Sequence, residues 1–293
     1  MTNVARELLK GAIDTHIHAA PDVLPRLLDD HELARAATEA GMAAIVLKCH
    51  HMLTADRALL AQKLYPEVKV FGGLALNQPT CGGLNPDAVR VALRIGARII
   101  WLPTLSAANH VERIKTRTTG NLGKMSAGFA PISVRVLDEN GAVVPALKEI
   151  LALIAEADVV LATGHLSVAE IKKVVEAALE AGVKRILVNH PELWLVGMGI
   201  EDQRELAAKG VMLERCIRSA YSTGEELTPR MIAEQIKAVG VESTIMATDY
   251  GQAESPPAPQ GLLSFIEQML EYGLKPEEVE TMVKVNPARV LGI

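Results

Sequence analysis

Short aliphatic runs alternate along the chain with stretches whose apolar residues recur at helical spacing. An aliphatic run without internal polar alternation is typical of a strand buried on both faces of a parallel sheet. Eight such runs occur, at residues 11–18, 43–48, 68–76, 97–102, 158–162, 185–188, 211–213 and 244–247. Helical patterns separate most of them, so the chain is predicted to repeat a strand–helix unit eight times.

The clearest helical stretch runs from Ser167 to Ala181 and is closed by Gly182. Its start carries the capping-box pattern, with Glu170 three residues after Ser167. Further helices are predicted at residues 30–40, 201–209, 228–239 and 261–272. The whole pattern predicts an α/β fold, a single (β/α)8 TIM barrel in one domain covering 1–293. An open doubly wound sheet is the alternative, but polar groups at nearly every strand end favour the barrel.

One interval between predicted elements is abnormally long. The segment 106–144 separates the fourth strand from the next helical pattern and exceeds a common βα loop several times over. Its end, 132–144, is predicted to form a β-hairpin turned at Asn140-Gly141. The insertion follows the C-terminal end of a strand, where barrel active sites are built. It is interpreted as a lid or substrate-binding loop, with a solvated surface excursion as the alternative.

Composition narrows the classes of function. Hydrophobic residues make up 49% of the chain and aromatic residues only 3%, so aliphatic side chains must build the core. The net charge of −5 comes from interspersed charges, and the lack of a basic tract argues against a nucleic acid partner. The three cysteines form no paired motif, and no segment has the apolar length of a signal core or a membrane helix. These features predict a cytoplasmic protein with a small-molecule substrate.

Polar residues gather at the ends of the predicted strands, which meet at one mouth of a barrel. Six of the eight histidines lie at or just beyond such ends. In chain order the residues at these ends are His16, His18, Lys48, His50, His51, His165, His190, Glu214 and Asp249. The remaining histidines, His31 and His110, end no strand and are expected at the surface.

His16 and His18 are two residues apart, so both can face the barrel axis from one strand. With His165 and Asp249 they form a set of nitrogen and oxygen ligands that leaves a position for water. Such a set is typical of a catalytic zinc site, and manganese and iron accept similar ligands. A bound ion would lower the pKa of water toward about 7, and Asp249 would accept the proton and pass it on.

The motif 14–18, Asp-Thr-His-Ile-His, resembles the first-strand signature of the amidohydrolase superfamily. His165, His190 and Asp249 match the histidines of that superfamily on strands five and six and its aspartate on strand eight. The ending 285–292 is similar to its Asn-Pro-Ala-Arg closing helix. The resemblance implies a metal-dependent hydrolase acting on an amide, ester or lactone bond. His190 would then bind a second metal or act as electrophile and proton donor.

Binuclear members of this superfamily carry a lysine or glutamate at the end of strand four that bridges two metals. Residues 101–104, Trp-Leu-Pro-Thr, occupy that place here. One metal is therefore expected, and a second is doubtful. A decarboxylase or hydratase with a single metal is the second hypothesis for function. A metal-binding protein without turnover is the third, because fold alone does not establish catalysis.

The substrate is predicted to be anionic. Lys48 is interpreted as the group that neutralises it, with carboxylation to a metal ligand or pairing with Glu214 as alternatives. The substrate pocket is also expected to include Glu214, Arg113 from the insertion, and His50 and His51. A solvated-loop position is an equal alternative for these two histidines. The apolar segment 193–199 indicates a contact surface for a homo-oligomer.

Overall fold

The strands pair in parallel with their neighbours in the order in which they occur along the chain. The structure is a computed structural model that describes residues 2–116, 132–222 and 227–293. Within these residues the strands are β1 (Ile13–His18), β2 (Ala44–Lys48), β3 (Lys69–Phe71), β4 (Gly73–Ala75), β5 (Ile99–Trp101), β6 (Val160–Ala162), β7 (Ile186–Asn189), β8 (Met212–Cys216) and β9 (Thr244–Ala247). Each strand overlaps one of the predicted aliphatic runs.

Helices occupy most of the intervals between the strands. The described ones are α1 (Thr2–Leu9), α2 (Asp30–Glu39), α3 (Ala55–Leu64), α4 (Gln78–Cys81), α5 (Pro86–Ile95), α6 (Ala108–Thr116), α7 (Pro145–Ala157), α8 (Val168–Glu180), α9 (Ile200–Ala208), α10 (Ile217–Ser222), α11 (Pro229–Val239), a 3-10 turn (Val241–Ser243), α12 (Ala258–Glu271), α13 (Pro276–Glu280), a π-helical turn (Thr281–Val285) and α14 (Asn286–Leu291). The five predicted helices are α2, α8, α9, α11 and α12, and the capping box at the start of α8 is present. Among all these helices, none has the length and apolar character needed to cross a bilayer.

The barrel closes where β1 meets the chain just after β9. The backbone N–H of Asp249 donates to the carbonyl of His16, and that of His18 donates to the carbonyl of Tyr250, both at 2.8 Å. These bonds hold the first strand and the last in one register. They complete the ring of parallel strands and confirm the predicted (β/α)8 barrel.

The third predicted strand is divided into β3 and β4 by Gly72. A Cβ atom at Gly72 would lie 2.2 Å from the carbonyl oxygen of Thr54, so only glycine fits this crossing of the backbone. The Thr54 hydroxyl accepts a hydrogen bond from the N–H of Gly73 and so fills the gap in the ladder. β3 and β4 together therefore form one interrupted strand of the eight.

Side chains two residues apart on the strands fill the barrel interior. Ile99 and Trp101 of β5 lie in this interior cluster with the corresponding residues of the other strands. Val290 and Leu291 of α14 join the same cluster, and the Asn286 amide donates to the carbonyl of Val241 in the 3-10 turn and to that of Thr244 at the start of β9. α14 therefore caps the N-terminal end of the barrel and leaves the other end for polar groups.

The insertion 106–144 begins with α6, where no helix was predicted. A short helix with few apolar residues has a weak periodic signal, which explains why the sequence pattern missed it. Residues 117–131 lie outside the described residues, so the lid stays a prediction there. The hairpin is confirmed in a short form, with an antiparallel bridge between Leu137 and Val143 and Gly141 in the left-handed region at φ 76°.

The apolar segment 193–199 packs mainly inside the chain. Leu193, Leu195, Val196 and Met198 are buried, whereas Trp194 is partly exposed. The homo-oligomer that this segment indicates stays a prediction.

We expect Gly73→Ala to destabilise the barrel. The added Cβ would lie 2.0 Å from the carbonyl oxygen of Ile99 and 2.7 Å from the Trp101 ring, so β4 would have to move away from β5. Overpacking of this kind costs about 3 kcal/mol or more. Urea unfolding measures the loss. Gly199→Ala is the matched control because its Cβ would meet no atom closer than 3.8 Å, and equal stability of the two variants would contradict the close approach.

Candidate metal centre

Three side chains from the two strands that close the barrel converge on one point. Nε2 of His16 and Nε2 of His18 lie 3.1 and 3.0 Å from the same carboxylate oxygen, Oδ1 of Asp249. Ligands that share a tetrahedral zinc ion at about 2.1 Å are separated by roughly 3.4 Å, so these three donors have the spacing of a ligand set. All three are among the groups of potential donors that lie within 4.8 Å of one another.

Local backbone structure explains this convergence. The carboxylate of Asp14 accepts hydrogen bonds from the hydroxyl and the N–H of Thr248 at 2.6 and 3.1 Å, which fixes the residue before Asp249 against β1. Asp249 itself has φ 56°, a left-handed conformation that aspartate tolerates better than most residues. His190 also has a positive φ, 30°. Such strained positions are concentrated at functional sites.

Glu214 lies behind His16 and orients it. Its Oε2 is 2.8 Å from Nδ1 of His16 and accepts a hydrogen bond from the Asn189 amide at 2.6 Å, while Thr15 donates to Oε1. A carboxylate on Nδ1 holds the proton there and leaves the Nε2 lone pair for a metal. Glu214 is fully buried, and both of its carboxylate oxygens are engaged by these side chains.

Burial keeps four further imidazoles of the site neutral at neutral pH, those of His18, His50, His165 and His190. Burial, followed by the positive charge of Arg26, lowers the pKa of His18 to about 3. Burial also lowers the pKa of His190 to about 3, and it holds the pKa values of His165 and His50 well below the usual value. Because metals bind the neutral form of imidazole, this environment suits ligation.

His16 lies in a different electrostatic environment. Burial and the charge of Lys48 oppose its protonation, but Asp249 and Glu214 outweigh them and raise the pKa of His16 to about 8. Nζ of Lys48 lies 3.0 Å from Nε2 of His16, and the lysine side chain is buried over the Trp101 ring. Nε2 thus sits where the surrounding carboxylates attract a cation, and the residues present fit a divalent metal.

His165 reaches the mouth of the barrel but belongs to none of the donor groups found in the described chain. Its Nδ1 shares a 2.8 Å hydrogen bond with Nδ1 of His110, and the two rings stack with centroids 4.9 Å apart. His110 is fully buried, so its predicted surface position is wrong. Sequence reasoning missed it because it lies on α6, away from every strand end. Only Nε2 of His165 remains for a metal or a substrate.

The histidines that follow β2 are held in place by polar side chains. The His50 ring stacks on His18 with centroids 5.0 Å apart, and its Nδ1 lies 2.8 Å from the Thr104 hydroxyl. His51 lies with its Nδ1 3.4 Å from Asp22. Both side chains are therefore part of the packed mouth of the barrel, so their solvated-loop alternative is excluded by geometry.

Arg113 lies further out. Its Nη1 donates to the carbonyl of Trp194 at 2.6 Å, and its Nε donates to Asn109. Asn109 in turn donates to the carbonyls of His165 and Leu195. These bonds fasten α6 of the insertion across the ends of β6 and β7.

Two further groups of donor atoms are less suited to a metal. In one, Cys216 joins His16 and Glu214, but burial raises the pKa of that thiol well above its ordinary value. In the other, Asp22, Cys49 and His51 meet. Burial raises the pKa of Cys49 to about 11, and Asp22 is already paired with a guanidinium. Metals bind thiolates, not thiols, so neither group competes with the first.

Comparison with known proteins begins with a family model. Residues 11–214 match the model described as a family of unknown function, DUF6282. No curated protein sequence matches the chain.

Solved structures show the same fold at low sequence identity. An amidohydrolase from Pseudomonas aeruginosa has a TM-score of 0.63 at 14% identity, covering 98% of each chain. A probable 2-pyrone-4,6-dicarboxylic acid hydrolase from Acinetobacter baumannii has a TM-score of 0.59 at 15% identity, covering 97% of this chain and 100% of its own. A 2,6-dihydroxybenzoate decarboxylase has a TM-score of 0.57 at 11% identity, with the same coverage. These likenesses confirm the amidohydrolase-type barrel.

We expect Glu214→Gln to weaken metal binding by roughly 10- to 100-fold, the usual effect of removing a carboxylate that orients a ligating histidine. The neutral amide no longer fixes the proton on Nδ1 of His16. Competition with a chromogenic chelator measures the affinity. Glu201→Gln, at an exposed helix position, is the control. Unchanged affinity in the Glu214 variant would remove its positioning role.

The hydrogen bond between His110 and His165 provides a second test of the site. His110→Phe keeps an aromatic ring stacked on His165 but removes the nitrogen. If Nε2 of His165 binds the metal, we expect affinity to fall roughly tenfold, because an outer partner of a ligand is lost. His31→Phe, which changes an exposed histidine, is the control. An affinity equal to that of the unaltered protein would argue against His165 as a ligand.

Proposed function

Because the chain belongs to the DUF6282 family, whose function is unknown, and has the fold of the amidohydrolase superfamily, we propose that it is a metal-dependent hydrolase of a small anionic substrate. The bond cleaved would be an amide, lactone or ester. The observation that carries this proposal is that Nε2 of His16 and Nε2 of His18 both lie within 3.1 Å of one carboxylate oxygen of Asp249 at the mouth of a barrel. His165 would add a fourth ligand through Nε2.

The proposal names one divalent metal, with zinc as the first choice and manganese or iron as alternatives. When bound, such an ion lowers the pKa of water toward about 7 and polarises a substrate carbonyl. β5 is the fourth predicted strand, and the residues at its end include no acid or lysine that could bridge two metals. Thr104 stands there instead, buried and hydrogen-bonded to His50 and Asn77. This arrangement supports a single metal.

Asp249 is proposed as the proton shuttle. Its pKa is held well below its ordinary value because the neighbouring His16 and His18 outweigh the effect of burial, so the carboxylate is ionised at neutral pH. Its side chain is 19% exposed, whereas those of His16 and His18 are 0% and 2% exposed. The carboxylate can therefore accept a proton from attacking water and return it to the leaving group.

His190 is proposed as the group that stabilises charge on the substrate. Its ring lies 5.1 Å from that of His165 and 6.1 Å from that of His16, between centroids. A pKa of about 3 keeps it neutral, so it acts as a hydrogen-bond donor to a developing oxyanion. It would bind metal only if a second ion were present.

Of the residues predicted to bind substrate, only His50 and His51 keep that role in the proposal. Glu214 positions His16, and Arg113 fastens α6. His50 and His51 are proposed to line the substrate pocket beside His18. Lys48 is proposed to stay next to His16 and balance the buried carboxylates, because its ammonium is enclosed among them.

The three cysteines are free thiols, which supports a reducing cytoplasmic location.

The test combines metal removal with a substitution at the shuttle. Chelation should abolish turnover of a panel of carboxylate-bearing amides, lactones and esters, and added zinc or manganese should restore it. We expect Asp249→Asn to lower kcat by at least 100-fold, since the amide accepts no proton. Asp87→Asn, with a side chain 90% exposed, should leave kcat unchanged.

Labelled water separates hydrolysis from decarboxylation. Hydrolysis incorporates one oxygen atom from water into the product, whereas decarboxylation releases carbon dioxide and adds no oxygen from water to the remaining product. Full activity of the metal-free protein would contradict the proposal. Tight metal binding without turnover of any substrate in the panel would instead favour a binding protein.

A further inference from the structure

The geometry points to Arg26 as the residue that binds a carboxylate group of the substrate beside the metal centre. This inference rests on the proposed function for its substrate and extends it by naming the anion-binding residue. Arg26 lies in the loop between β1 and α2, and its side chain is only 1% exposed. A guanidinium buried to this extent must be matched by an acceptor or a bound anion.

One acceptor is present within the chain. Nε of Arg26 donates to Oδ2 of Asp22 at 2.7 Å, and Nη2 lies 2.6 Å from the same oxygen. The second contact has no hydrogen-bond geometry, because Nη2 is buried without a hydrogen-bond partner. One carboxylate oxygen of Asp22 therefore holds the guanidinium in place without using all its donors. A planar guanidinium in this state is prepared to bind a second carboxylate.

The loop that carries Arg26 is fixed against the metal centre. Arg26 forms an antiparallel bridge with Gln252, and the N–H of Leu27 donates to the carbonyl of Gly251 at 3.0 Å. Gly251 in turn lies so close to β1 that a Cβ there would be 1.8 Å from the carbonyl oxygen of His18. Arg26 is thus attached to the residues that directly follow Asp249.

The positive charge of Arg26 acts on side chains of the metal centre. It is the second largest influence on the pKa of His18, after burial, and it also contributes at His50 and Lys48. Arg26 therefore lies close enough to the centre for its charge to act on His18. Lys48 is the other cation there, and it is buried against Nε2 of His16.

The test uses a pair of probes that differ in charge but hardly in shape, benzoate and benzamide. Their dissociation constants are measured by NMR titration of the full chain, both metal-free and loaded with zinc. We expect the unaltered protein to prefer benzoate. Arg26→Met should weaken benzoate binding at least tenfold in both states and leave benzamide binding within twofold, because only the charged contact is lost. Arg26→Lys should recover part of the affinity, since it restores the positive charge but not the planar pair of donors that binds both oxygens of a carboxylate.

The matched control is Arg57→Met. Arg57 holds the same loop from the other side, through the carbonyls of Ala19 and Pro21 and the carboxylate of Asp30. An equal loss of benzoate affinity in this variant would show that loop structure, not the Arg26 contact, is responsible and would overturn the inference. Benzoate binding that is unchanged in Arg26→Met would overturn it directly.

The outcomes separate this inference from the proposed function. The Arg26 contact is measured in the metal-free protein, so it can hold even if no substrate is turned over. Conversely, an active hydrolase whose Arg26→Met variant binds benzoate normally would retain the proposed function and lose the anion-binding residue.

Discussion

The contact between β1 and the chain after β9 is the constraint on which the site depends. A ring of parallel strands must close somewhere, and here the closing bonds run from Asp249 and His18 to the opposite backbone. The carboxylate of Asp14 ties Thr248 to the same strand. Closure and assembly of the site are therefore one event, because the bonds that join the strands bring Asp249 to the two histidines. A barrel that failed to close would also have no donor set.

This coupling between closure and the site explains why so many polar and charged side chains can be buried there. Buried histidines and carboxylates destabilise a fold unless each has a partner. Glu214 has three partners, and His16 lies between Glu214 and Asp249. His18 and His190 remain neutral instead, and each keeps a buried Nδ1 without a hydrogen-bond partner. Burial without a partner at Nδ1 is the cost that these two rings carry, and neutrality keeps that cost smaller than it would be for a charged imidazole.

Much of this was predictable from the sequence because barrel geometry converts position along a strand into position in space. Strand ends share one mouth, so His16, His18 and Asp249 could be grouped without knowing any loop. The same rule could not place His110, which reaches His165 from α6 of the insertion, nor the partners of Glu214. Glu214 contacts Nδ1 of His16 and Asp249 contacts Nε2. The spacing of residues along the sequence does not predict which carboxylate meets which nitrogen, because this depends on how the side chains pack. The spacing rule does not place Arg26 either, because it lies in a loop, where an arginine is usually solvated.

The positions of the loops and of the strand ends are fixed by different kinds of contact. A strand end is fixed by the barrel, whereas each loop here is fixed by particular bonds to the backbone of another loop. Arg113 and Asn109 tie α6 to the segment after β7, and Arg57 ties the first loop to α2. Substrate specificity would then change when these ties change, while the metal donors stay in place. Solved structures with this fold share only 11 to 15% identity with the chain, which shows how far the sequence of such a barrel can change while its architecture remains.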